Sequence, residues 1–180
     1  MIDHGGNLAT ASPIGDSAPL LMALDARVHL AGPDGRRVVD LASFFTAYRQ
    51  TALRPGELLT TIEIPKPLPR VVRFYKVSKR RLDDISTVAA AYALDTDNSG
   101  RVRRARFAFG GVAATPVRIT SAEDGVTGAL WNDAAVERIQ QVLDRTLTPI
   151  SDARGSKEYR LEVAKSLVEK FHWESTHDDA

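Results

Sequence analysis

The run Pro65-Lys66-Pro67-Leu68-Pro69 constrains the fold more than any other stretch, because three prolines in five residues can neither continue a β-ladder nor enter a helix interior. A segment of this composition is stiff and extended, so it divides the chain into a part ending at residue 69 and a part beginning at residue 70. At 180 residues and 43% hydrophobic, the chain has material for one medium domain or two small ones. The two parts carry different patterns.

Upstream of the prolines, Asp16 precedes Ser17-Ala18-Pro19-Leu20-Leu21-Met22-Ala23-Leu24, which predicts an N-capped buried helix with its proline confined to the first turn. Strands over 27–31 and 36–41 flank Gly32-Pro33-Asp34-Gly35, a tetrapeptide suited to a hairpin, and 58–64 reads as a third strand. Downstream, 71–78, 86–94 and 102–109 predict three strands of an antiparallel meander. Two amphipathic helices follow. The first has an apolar stripe of Val136, Ile139, Val142, Leu143 and Leu147, and the second repeats Tyr159, Val163, Leu167 and Phe171 every fourth residue. Asn132 or Asp133 and Ser156 are the expected N-caps. Strands followed by helices predict an α+β class, with a three-stranded antiparallel sheet covered by helices on one face over 70–173 and a disordered polar tail over 174–180.

Zero cysteines exclude disulfides, a thiolate nucleophile and any cysteine-held iron-sulfur or zinc site within the sequence, so redox chemistry needs a borrowed cofactor. The formal net charge of +1 gives no global signal for nucleic acid. No apolar run reaches the roughly 18 to 20 residues of a membrane span, and Met1-Ile2-Asp3-His4 lacks signal-peptide regions, so the expected location is the cytoplasm. His4, His29, His172 and His177 show no metal-ligand spacing. Phosphate-loop, dinucleotide-fingerprint and nucleophile-elbow motifs are all missing.

Local chemistry concentrates in Gly5-Gly6-Asn7-Leu8-Ala9-Thr10-Ala11-Ser12-Pro13-Ile14-Gly15-Asp16. The glycine pair tolerates positive φ, so it reads either as an ordinary turn or as a nest of backbone N–H groups for an anion. Asn7, Thr10 and Ser12 add amide and hydroxyl groups on a loop stiffened by Pro13. Asp16 has two readings, helix cap or ligand contact. Lys76 alternates with Tyr75 and Val77 and therefore points to the opposite face of its strand. Its basic company, Arg70, Arg73, Lys79, Arg80 and Arg81, raises a phosphate-binding reading, but Asp83-Asp84 follows at once and no nucleic-acid fold signature accompanies it. Arg104 and Arg106 share one strand face and are expected on exposed sheet surface, while Gly110-Gly111 marks a strand end with close packing.

The order of these motifs resembles the FAD-binding subunit or domain of the molybdenum hydroxylases, with the bacterial xanthine dehydrogenase small subunit as the nearest pattern. The resemblance rests on 5–16, Phe44-Phe45 with Tyr48-Arg49, Pro55-Gly56-Glu57-Leu58-Leu59, Ile62-Glu63-Ile64-Pro65, Tyr75-Lys76-Val77-Ser78-Lys79-Arg80-Arg81 with Asp83-Asp84-Ile85, Phe109-Gly110-Gly111-Val112-Ala113, and Tyr159-Arg160. It implies that 1–69 is a remnant of the second FAD-binding (PCMH-type) subdomain and 70–173 a CO dehydrogenase flavoprotein C-terminal-like domain. It also implies FAD contacts at Gly6, Asn7, Thr10, Asp16, Leu59 and Lys76, and no catalytic side chain on this chain. The 77–87 stretch then resembles a loop beside the isoalloxazine ring that governs access of NAD.

The implied activity is electron relay: iron-sulfur clusters and a molybdopterin centre on missing or partner segments feed FAD, which reduces NAD, with purine hydroxylation on the molybdenum-binding large subunit. Family members carry a cysteine-rich iron-sulfur domain and a further glycine-rich pyrophosphate loop that this sequence lacks. The expectation is therefore a truncated subunit with a partial FAD site. The alternative is a non-catalytic interaction module that binds partner subunits without retaining FAD. Nucleic-acid and membrane partners are not expected.

Overall fold

The computed structural model describes residues 4–80 and 85–177. Two short helices open it, α1 (His4–Ala9) and α2 (Ser17–Ala23). The next elements form a three-stranded antiparallel sheet from β1 (Arg27–Gly32), β2 (Gly35–Asp40) and β5 (Leu58–Glu63) in the order β2-β1-β5. The β1–β2 hairpin turns where Gly32-Pro33-Asp34-Gly35 predicts it, and Gly35 takes φ +114°, a conformation open to glycine at no steric cost. In register, Val28 lies opposite both Val39 and Ile62, so alternation delivers one apolar face to the core. A small ribbon of β3 (Phe45–Ala47) and β4 (Gln50–Thr51) intervenes.

Beyond the prolines, β6 (Val71–Val77), β7 (Val88–Thr96) and β8 (Val102–Gly110) form the expected meander, and a two-residue strand β9 (Val117–Arg118) extends it to four strands in the order β6-β7-β8-β9. Helices α3 (Thr120–Val126), α4 (Asp133–Thr146) and α5 (Lys157–His177) complete the chain. Asn132 caps α4 through Oδ1, which accepts from Ala135 N–H at 3.2 Å, and Ser156 Oγ accepts from Tyr159 N–H at 3.1 Å.

Helices α3, α4 and α5 cover one face of this sheet, as expected, and α2 from the upstream part covers the other. Central strand β7 runs Val88-Ala89-Ala90-Ala91-Tyr92-Ala93-Leu94, buried on either side. Ala90, Tyr92 and Leu94 join Phe107, Phe109, Ile139, Leu143 and Phe171 beneath α4 and α5. Ala91, Ala93 and Ala108 join Met22, Val28, Leu30 and Phe44 beneath α2. The alanine stripe conceals the second face in the sequence, because alanine is apolar enough to bury and small enough to let a helix backbone approach. Parts upstream and downstream of the prolines therefore share a core.

Three further expectations change. The buried side of α5 is Arg160, Ala164, Leu167, Val168 and Phe171, whereas Tyr159 is 47% exposed, so the stripe is rotated by one residue at its start. Residues 174–177, expected in the tail, continue α5, where Ser175 Oγ accepts from Trp131 Nε1 at 2.9 Å. Arg104 and Arg106 are not merely surface charges: Arg104 pairs with Asp95 at 2.6 Å and Arg106 with Asp25 at 2.8 Å, the latter across the two parts. Residues 178–180 lie outside the described residues.

Candidate functional site

The Gly5-Gly6-Asn7 segment is helical, not a nest. Leu8, 1% exposed, anchors α1 in the core, and Thr10 N–H closes the turn on Gly6 O at 3.1 Å. Asn7 and Thr10 stay on the exposed side: Thr10 Oγ1 donates to Asn7 O and Ser17 Oγ donates to Asn7 Oδ1, both at 2.7 Å. In that orientation the Asn7 amide nitrogen remains a donor toward solvent.

Asp16 precedes α2 but does not cap it, since its side chain makes no cap hydrogen bond. Its carboxylate turns instead to the second sheet. Oδ2 accepts from Lys76 Nζ at 2.8 Å, and Oδ1 accepts a short hydrogen bond from Ser86 Oγ. Alternation along β6 makes this reach possible: Tyr75 packs toward α5 and bonds Glu174 at 2.6 Å, leaving Lys76 on the α2 side. Asp16 and Lys76 side chains are each 32% exposed, so the pair is half-buried and open to a ligand.

Thr10 and Ser17 therefore meet at Asn7, Ser17 directly follows Asp16, and Asp16 meets Lys76, while Gly6 lies on α1 just before Asn7. Leu59 does not join these polar contacts. It sits on β5, which α1 packs against, and supports the core under that helix. Residues 81–84 of the 77–87 segment, with Arg81, Asp83 and Asp84, lie outside the described residues. Among the described residues no group of three or more His, Asp or Glu is placed to hold a metal ion, and no helix is long and apolar enough to cross a membrane.

Ser86, Thr87 and Arg160 escape a reading from spacing, whereas Gly111 packs closely at a strand end as its Gly-Gly pair predicts. Ser86 is 1% exposed and pairs with a residue seventy positions away, which no local pattern shows. Thr87, Gly111 and Arg160 form a tie behind it. Gly111 N–H donates to Pro13 O at 2.7 Å, and Arg160 Nη1 donates to the carbonyls of Thr87 and Gly111, the latter at 2.9 Å. The one signal for Arg160 is its place on α5, four residues before Ala164 and seven before Leu167, a helical spacing that puts a guanidinium on the buried side.

Comparison with known proteins gives this geometry a family. Residues 73–175 match the CO dehydrogenase flavoprotein C-terminal domain, and residues 2–67 match the FAD binding domain in molybdopterin dehydrogenase. The chain belongs to the FAD-binding flavoprotein family of the molybdenum hydroxylases. The carbon monoxide dehydrogenase medium chain of Afipia carboxidovorans is 33% identical over 92% of this chain and 57% of its own length. Nicotinate hydroxylase of Emericella nidulans is 36% identical over 92% of this chain but only 13% of its own length. A crystal structure of Cu,Mo-CO dehydrogenase superposes with TM-score 0.87 and 32% identity, covering 94% of this chain and 59% of that one. Quinoline 2-oxidoreductase from Pseudomonas putida superposes with TM-score 0.80 and 29% identity over the same shares. The chain therefore spans a little over half the length of the carbon monoxide dehydrogenase medium chain and about one-eighth the length of the nicotinate hydroxylase.

The polar residues around Asn7 and Asp16 of this flavoprotein-family chain fit a flavin dinucleotide in their donor and acceptor chemistry. Asp16 and the Thr10 and Ser17 oxygens have the acceptor capacity that sugar or ribityl hydroxyls would need, and Lys76 and the Asn7 amide the donors that phosphate or ring oxygens would need. Lys76 also offsets a carboxylate charge that would otherwise face an anionic ligand.

Proposed function

We propose that this chain forms one wall of an FAD site in the electron-transfer component of a xanthine dehydrogenase-type molybdenum hydroxylase. The single observation carrying this reading is the convergence of Asp16, Lys76 and Ser86 from distant parts of the chain into one half-buried cluster on the loop that follows α1. A carboxylate held jointly by an ammonium and a hydroxyl is fixed in orientation before any ligand arrives. Such preorganisation lowers the ordering cost of binding.

When bound, FAD supplies the conversion between single electrons and a hydride. The chain's own residues position it: Asp16 and Asn7 orient polar edges, Lys76 neutralises charge, and the apolar packing around Leu8 and Leu59 keeps the underlying wall rigid. In this reading electrons arrive from iron-sulfur clusters, NAD is the acceptor, and a molybdopterin-binding large subunit carries out purine hydroxylation. The chain then works in the cytoplasm, where that acceptor is available. Support for the assembly comes from relatives that are medium chains, as in the carbon monoxide and glyceraldehyde dehydrogenases.

The test is the flavin-to-protein ratio of the purified complex carrying Lys76→Ala or Asp16→Ala. Loss of one charge-assisted hydrogen bond, about 1.5 to 3 kcal/mol, should weaken FAD retention by roughly 10- to 150-fold. Full flavin content in both variants would refute the site. NAD-dependent oxidation of the substrate-reduced complex checks the acceptor independently, and a complex that reduces only other acceptors removes NAD from the account.

A further inference from the structure

We infer that Arg160 is a positioning residue for the flavin site, bracing the end of the 77–87 segment and the 10–16 loop from behind so that Ser86 and Asp16 stand in register. The inference rests on the reading of that cluster as the FAD wall. Arg160 is 2% exposed and ranks among the largest fully buried side chains. Its guanidinium collects acceptors from three separate segments: the Thr87 carbonyl, the Gly111 carbonyl at 2.9 Å, and Asp152 Oδ1 at 2.7 Å. A planar fork with fixed donor directions suits this task, and a lysine ammonium does not reproduce it.

Both carbonyls lead to the candidate site. Thr87 directly follows Ser86, whose hydroxyl donates to Asp16, and Thr87 N–H donates to Val77 O at 2.7 Å, one residue from Lys76. Gly111 N–H donates to Pro13 O at 2.7 Å, in the loop that ends at Asp16. One guanidinium therefore connects to Asp16 by two routes, one through Thr87 and the adjoining Ser86, the other through Gly111 and the Pro13 end of the 13–16 loop. The 152–155 loop closes over the same place. Lys79 Nζ donates to Ala153 O at 3.2 Å, and a Cβ on Gly155 would lie 3.3 Å from Thr87 Cγ2. Asp152 remains a carboxylate acceptor: burial pushes its carboxyl up, but the Arg154 N–H and the Arg160 guanidinium together hold it below the usual range.

Among the described residues, no group hydrogen-bonds the buried Arg160 Nε. A side chain selected for packing alone would be apolar here, since a buried donor left unmatched is a cost that native structures seldom carry without a functional reason. The guanidinium is retained at that cost because it sets the spacing of the Thr87 and Gly111 carbonyls.

The experiment uses the flavin-loaded complex carrying Arg160→Lys, Arg160→Met or Asp152→Asn. It reads thermal unfolding, flavin-to-protein ratio, visible flavin circular dichroism and flavin midpoint potential. Arg160→Lys keeps the charge but cannot span all three acceptors. It is expected to fold, to shift the flavin dichroism and potential, and to weaken FAD retention by about tenfold. Asp152→Asn should move the same readouts in the same direction by less. Arg160→Lys and Asp152→Asn complexes that fold as wild type with unchanged flavin content, dichroism and potential would overturn the role, even if Arg160→Met fails to fold. Lys76→Ala and Asp16→Ala measured alongside separate the two ideas. Flavin loss in those with none of these changes in Arg160→Lys removes only the positioning role, whereas full flavin in those removes the site itself.

Discussion

A methyl group at position 111 would stand 2.3 Å from the Thr87 carbonyl oxygen, on a backbone at φ +80°. Both facts demand glycine, the first because the Thr87 and Gly111 chains touch, the second because a Cβ is strained there. Gly111→Ala should therefore cost about 2 to 4 kcal/mol in global stability, measured by urea unfolding of the purified protein. A cost under about 0.5 kcal/mol, the range of ordinary surface changes, would mean that the close approach is not kept in solution. At the same scale, Tyr92 is completely buried, and among the described residues its hydroxyl has no hydrogen-bond partner. Burial pushes that phenol well above its usual range, with Tyr75 adding to the effect, so it stays neutral at any working pH. Tyr92→Phe removes an unsatisfied polar group while keeping the ring contacts with Phe107, Phe109 and Phe171. It is expected to leave stability unchanged or raise it by up to about 1 kcal/mol in the same assay.

Among the elements, β7 explains most of the architecture, because its alternating faces serve two different cores. Ala91 and Ala93 meet α2, and Ala91→Leu should overpack that interface by about 1 to 3 kcal/mol, seen as a lower midpoint of thermal or urea unfolding. Ala90→Leu strains the opposite core by a similar amount, and one variant behaving as wild type would show its face to be open. Much of this level was legible in the sequence. The hairpin around Pro33-Asp34, the three-strand meander and the α4 stripe follow from turn chemistry and periodicity. What remained hidden has physical causes. A run of alanines has no strong period, so the second helix-bearing face of β7 left no trace. The glycine pair at 5–6 favours a turn locally, but burial of Leu8 overrides that preference and folds the segment into α1. Asp16 looked like a cap because caps are local, and its partners Lys76 and Ser86 are set by tertiary packing alone. Arg160 was visible only as part of a motif, because nothing in helical spacing says that a buried arginine will find three acceptors.

For the whole molecule, the contact between the parts on either side of the prolines is both apolar and ionic. Asp25, upstream, accepts from Arg106 at 2.8 Å and from Arg118 at 2.6 Å, and Arg118 also holds the buried Glu123 at 2.8 Å. Burial pushes the Asp25 carboxyl up, but the hydrogen bonds and charges of Arg106 and Arg118 outweigh it and leave it below the usual carboxylate value. A depressed folded value means that this contribution is fully present above the unfolded value of about 3.9 and is lost as pH falls below it. Asp25→Asn should accordingly lower stability at pH 7 and flatten the acid limb of the stability profile below about pH 4. A profile parallel to wild type across that limb would show that Asp25 does not join the two parts.

The Asp16–Lys76–Ser86 cluster joins residues from both sides of the prolines, so the wall proposed to meet the cofactor depends on the two parts packing as one. The most direct measurement is an electron-density map of the flavin-loaded complex. The expected result is FAD lying along α1 and the 10–16 loop, with a polar atom of the cofactor within hydrogen-bond distance of Asp16 or Lys76 and Ser86 still bonded to Asp16. A map with the flavin bound elsewhere and that cluster facing solvent would contradict the account.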